Sequence, residues 1–192
     1  MKRFFFLIGV FIFGTTNVSA YDGNHPLSIE DLDRAIAINP ASADAYYNRG
    51  LLLEKQGQFP GAIADFTQAI KVDPHDASSY KARAFAYASQ YNYAPAIADY
   101  DKVLEIDPRD PNVYYNRGLS YAGKGDLSKA VSDFDQAILL DPGYWQAFHN
   151  RALVFYQLKQ YDRALSDFQK AVALGCKADV KFIKEVKEAS RP

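Results

Sequence analysis

The residues that could carry chemistry are few and scattered. The 192-residue chain holds three histidines, His25, His75 and His149, and one cysteine, Cys176. The histidines lie far apart in sequence, and no second thiol could help them build a metal site. No nucleophile elbow, phosphate-binding glycine loop or dinucleotide fingerprint is present. The expectation is therefore a noncatalytic protein with no cofactor and no metal. Twenty-two basic against 23 acidic residues give a formal charge of -1, so no global field draws the chain to nucleic acid or to an anionic membrane. With 48% apolar residues, nine prolines and eleven glycines, it is neither collagen-like nor low-complexity.

Ion-pairing residues, in contrast, keep strict time. Arg49, Arg83, Arg117 and Arg151 recur every 34 residues, and so do Asp65, Asp99, Asp133 and Asp167, with Asp31 in the same phase ahead of them. A guanidinium offers a planar two-point fork to a carboxylate, so the rows read either as a structural ladder or as two solvated faces. Because Asp31 has no arginine of its own in front of it, pairing across units is expected: Asp31 with Arg49, Asp65 with Arg83, Asp99 with Arg117, and Asp133 with Arg151. That scheme leaves Asp167 facing Glu185.

Such rows need elements that repeat with them. Pro40, Pro74, Pro108 and Pro142 are spaced by 34 residues. Each unit carries an aromatic (Tyr46, Tyr80, Tyr114, Phe148), then a small residue four on (Gly50, Ala84, Gly118, Ala152), then a large one three further (Leu53, Tyr87, Tyr121, Phe155). The second half repeats Ala62, Ala96, Ala130 and Ala164, then Phe66, Tyr100, Phe134 and Phe168, then Ala69, Val103, Ala137 and Ala171. Spacings of four and three put each set on one helix face, so every unit holds two amphipathic helices. Small residues allow close helix approach and aromatics fill the layers. Gly57 and Gly125 mark the turns between helices. Tyr91 and Lys159 replace them in the other units, which predicts less favourable turns there.

This skeleton resembles the tetratricopeptide repeat. The match covers residues 41–74, 75–108, 109–142 and 143–176, with Gly175-Cys176 in place of the last Asp-Pro and a glycine helix cap suggested there. The resemblance implies an all-α, right-handed solenoid with first helices lining a concave groove. Residues 28–40 fit a leading half-repeat, started by a Ser28/Asp31 capping box. Residues 177–192 form a capping helix that covers the last unit with Val180, Phe182, Ile183 and Val186.

Met1 to Ala20 has a basic start, an apolar run over Phe4–Gly14 and a small-residue site at Val18-Ser19-Ala20, the pattern of a secretory signal peptide. Its apolar run is too short to span a bilayer. An exported protein is expected, periplasmic or secreted, with cleavage after Ala20, residues 21–27 as a linker and no stable membrane insertion. In an oxidising compartment Cys176 is either buried and inert or available for an intermolecular link.

Carrying the family's groove positions onto this chain gives Tyr47, Asn48, Leu51 and Glu54 from the first unit, and Lys81 and Phe85 from the second. The third supplies Tyr115, Asn116 and Leu119, and the fourth His149, Asn150, Leu153 and Tyr156. Leucines at a clamp phase, with Lys81 the lone base of the central units, do not support capture of a terminal carboxylate. The asparagines could grip an extended backbone or satisfy neighbouring helices. Two functions follow: an adaptor binding a peptide or helix of a partner protein in the groove, with Tyr47, Tyr115, His149 and Tyr156 as anchors, or a self-associating envelope assembly protein.

Overall fold

The computed structural model describes residues 27–190; the expected signal peptide, its cleavage site and nearly all of the linker lie outside them. The described residues form ten α-helices and no strand. They are α1 (Ile29–Ile38), α2 (Ala43–Lys55), α3 (Phe59–Val72), α4 (Ala77–Ser89), α5 (Tyr93–Ile106), α6 (Pro111–Lys124), α7 (Leu127–Leu140), α8 (Trp145–Gln157), α9 (Tyr161–Ala173) and α10 (Val180–Ala189). None is long and apolar enough to cross a membrane.

Packing is most extensive inside the hairpins α2–α3, α4–α5, α6–α7 and α8–α9, and weaker where one hairpin meets the next. The even helices α2, α4, α6 and α8 also touch one another, whereas their odd partners have no comparable row of contacts. A stack whose members approach on one side and part on the other must curve toward the close side. The even helices therefore line the inner wall of an α-solenoid. Every substantial contact joins neighbours in order, as a repeat array requires.

The 34-residue skeleton explains the hairpins. Ala62, Phe66, Ala69, Ala96, Tyr100, Ala130, Phe134, Ala164 and Phe168 are all sealed in the core. The small residue of the first helix is where the aromatic of the second arrives: a Cβ added at Gly50 would stand 2.6 Å from the Phe66 ring, and one at Gly118 would stand 2.9 Å from that of Phe134.

The turn prediction holds in detail. Gly57 and Gly125 take left-handed φ of 74° and 93°, and Tyr91 and Lys159 are forced to 60° in the same place. In all four turns the residue after the left-handed one donates its N–H back to a carbonyl five residues earlier, as Gln58 does to Leu53 at 2.8 Å and Asn92 to Tyr87 at 2.9 Å. This is the Schellman closure of a helix end, and it holds whether or not glycine occupies the strained position. Gly175, at φ 106°, ends α9 likewise through Cys176 N–H to the Ala171 carbonyl.

The ends are capped. Ser28 Oγ accepts from the Asp31 N–H at 3.1 Å and Asp31 Oδ2 accepts from the Ser28 N–H at 3.2 Å. At the other end Phe182 and Val186 are buried in a cluster with Phe155 and Phe168. Val180, expected to help cover it, is 74% exposed, because it is the first residue of α10 and precedes the face that packs.

Candidate interaction surface

Two surfaces are built by the repeat. The first is the arginine row. Arg49 donates Nε and Nη2 to Asp65 at 2.8 and 2.6 Å, Arg83 does so to Asp99, Arg117 to Asp133, and Arg151 to Asp167. The expected cross-unit scheme is therefore corrected: each arginine forks onto the aspartate of its own unit. The reason is geometric, since in an antiparallel hairpin the residue sixteen on lies directly opposite. Asp167 pairs with Arg151 and not Glu185, and Asp31 closes the capping box.

A cross-unit link exists nonetheless, made by the third guanidinium nitrogen. Nη1 of Arg49 donates to Asp33 at 2.5 Å, that of Arg83 to Thr67 Oγ1 at 3.0 Å, that of Arg117 to Asp101 at 2.6 Å, and that of Arg151 to Asp135. These acceptors stand two residues beyond the aspartate row, and Asp33, Asp101 and Asp135 keep the 34-residue period, so the cross-unit signal is present in the sequence. The guanidinium carbons also lie 5.4–5.8 Å from the ring centres of Tyr46, Tyr80, Tyr114 and Phe148, three residues earlier on the same helices. Hydrogen bonds donated to the Asp65 carboxylate hold the Arg49 guanidinium well above its ordinary range. An open cleft of about 500 Å³ beside Phe155 is lined by the paired Arg151, Asp135 and Asp167 together with Asp162, Arg163 and Ser166.

The second surface is the inner wall. The residues expected there divide into those the fold has consumed and those it leaves available. Tyr115 is only 4% exposed. Its ring packs 4.9 Å from that of Tyr144, its hydroxyl accepts from Asn150 Nδ2 at 2.9 Å, and burial pushes the phenol up to about 12. Tyr115 and Asn150 thus form a seam between successive units, which corrects their assignment as ligand contacts. Tyr156 packs against Tyr161 and Phe182, under the capping helix. Tyr47 leans on Phe66 at 5.9 Å and His149 on Phe168 at 5.5 Å. Lys81 is engaged by Asp110 at 3.2 Å.

Asn48, Leu51, Phe85, Asn116, Leu119 and Leu153 remain half-buried on the even helices. The side-chain amides of Asn48 and Asn116 make no hydrogen bond to another described residue. This is an apolar row flanked by amides, suited to an extended polypeptide.

Sequence reasoning missed one proximity. Cys176 Sγ lies 3.7 Å from His149 Nδ1. Burial lowers the imidazole pKa and raises that of the thiol, so both groups are driven to their neutral forms, the opposite of what an activated thiolate needs. No group of three or more metal-ligating side chains occurs among the described residues.

A curved stack of helix hairpins with one continuous inner wall defines a repeat solenoid, a class that works by presenting surface. Three family models specify it further: a tetratricopeptide repeat model matches residues 22–86, a TPR repeat model residues 88–125, and another tetratricopeptide repeat model residues 115–178. The chain carries tetratricopeptide repeats.

Solved structures share the fold. MamA 41-end from Desulfovibrio magneticus RS-1 superposes with a TM-score of 0.74 at 20% identity, over 76% of this chain and 82% of that one. Pseudomonas aeruginosa PilF gives 0.62 at 26% identity, over 72% and 63%. The first TPR of Spaghetti (RPAP3), bound to the HSP90 peptide SRMEEVD, gives 0.59 at 23% identity, over 60% and 92%. No curated protein matches the sequence.

Proposed function

We propose that this protein is a noncatalytic scaffold that holds an extended segment of another polypeptide against its inner wall, and that it acts after export. The observation that carries the reading is the row of half-buried Leu51, Phe85, Leu119 and Leu153 between the unengaged amides of Asn48 and Asn116. Apolar side chains spaced along a curved wall supply affinity, and amides satisfy the backbone groups that an extended ligand brings. Structural neighbours that include a peptide-bound repeat support it. The export limb rests on the pattern of the first twenty residues.

Covalent capture tests the groove. A photoreactive amino acid at position 119 should crosslink a discrete partner from the native envelope, and Leu119→Asp with Asn116→Ala should remove the capture while the helical circular dichroism stays unchanged. Capture that survives this pair of changes would overturn the reading. Tyr115 is unsuitable as a probe, because truncating it opens the seam to Asn150.

A further inference from the structure

Among the described residues, one fully buried side-chain oxygen lacks a hydrogen-bond partner: Oε2 of Glu54. Glu54 sits near the end of α2, on the stripe i, i+4, i+7 that carries Tyr47 and Leu51, and its side chain is half-buried. No described lysine or arginine bridges to it. Other carboxylates at the even helices have donors. Asp76 accepts from the Ser78 and Ser79 N–H groups and the Ser79 hydroxyl. Asp110 accepts from the Asn112 N–H and from Lys81. Asp44 is exposed and needs none.

Resting on the groove reading above, we infer that Glu54 is the charge-selecting position of the inner wall and that the bound segment delivers a lysine or arginine side chain to it. A carboxylate removed from water without a donor is costly, and a charge-assisted hydrogen bond from a ligand ammonium or guanidinium relieves that cost. The apolar flank of Tyr47 and Leu51 suits the methylene stem of such a side chain while its head reaches the carboxylate. Neighbouring groups agree with an unscreened site. Burial raises the Glu54 carboxyl to about 7, and after burial itself the charge of Glu54 is the next influence holding the Tyr100 phenol up. At the equivalent phase the later units carry Ala88, Ala122 and Tyr156, so the charge requirement falls at the α2 end and sets the direction in which the ligand lies.

The test uses two pools of short random peptides without acidic residues, each member carrying one lysine in the first pool and norleucine at that position in the second. Captured on the folded protein, the lysine pool should be enriched about tenfold, the equivalent of roughly 1.4 kcal/mol. Glu54→Gln should erase that difference, and Glu54→Asp should keep its sign at a smaller size, both with unchanged circular dichroism. Equal capture of the two pools by the wild-type protein, or a lysine preference that survives Glu54→Gln, overturns the selector role and leaves the groove reading standing. Capture of neither pool overturns both.

Discussion

At the scale of single residues, burial and periodicity carry different information. The arginine period was legible in the sequence, but the partner of each arginine was not, because phase along a chain does not say which neighbour lies across an antiparallel seam. The buried half of each fork should dominate its energy. Arg117→Met leaves Asp133 buried without a cation and should cost about 3–5 kcal/mol in urea unfolding, while Arg117→Met with Asp133→Leu should recover most of that loss. Asp101, 46% exposed, should cost no more than about 1 kcal/mol when changed to alanine. Glu54 has the opposite sign. Its carboxyl is raised from 4.5 to about 7, so the folded protein binds a proton more tightly than the unfolded chain. Stability contributed by that proton is complete below the unfolded value and is lost as pH rises through the folded one. Glu54→Gln should therefore stabilise by about 1 kcal/mol above roughly pH 8, after allowing for solvent screening of a half-buried group, with the gain vanishing below about pH 5. Thermal melts across that range decide it.

Helices and their turns were the most legible scale. The spacing of small and aromatic residues predicted both helices of every hairpin, and the capping box placed the start of α1. The turns at Tyr91 and Lys159 were expected to be poorer, and the backbone shows how: an L-residue holds a dihedral that suits glycine. Tyr91→Gly and Lys159→Gly should each stabilise by about 1 kcal/mol, and Gly125→Ala should destabilise by about as much, all read as shifts in the urea midpoint. Less legible was which aromatics of the first helices would be buried. Tyr47, Tyr115 and His149 share one phase, yet only Tyr115 is sealed, because Tyr144 of the following turn closes over it. Nothing in the local pattern announces that contact, which joins residues nearly a whole unit apart.

Across the whole molecule, order of stacking governs stability. Each hairpin buries its surface only on its neighbours, so damage at one end should stay there. Phe182→Ala removes the main plug of the last hairpin and should cost about 3–5 kcal/mol. Amide exchange should then accelerate in α8 to α10 while α2 to α5 keep their protection. Uniform acceleration along the chain would show a single cooperative unit instead.

The tie made by the third guanidinium nitrogen of each arginine also bears on mechanics. Three of the four inter-hairpin ties end on an exposed aspartate, while the tie from Arg83 ends on the uncharged hydroxyl of Thr67. Rising ionic strength weakens the ionic ties and barely touches the neutral one. Stretched or bent, the coil should give first at its three charged joints in brine and keep the α3–α4 joint firm, a spring whose stiffness is set unevenly along its length by dissolved salt.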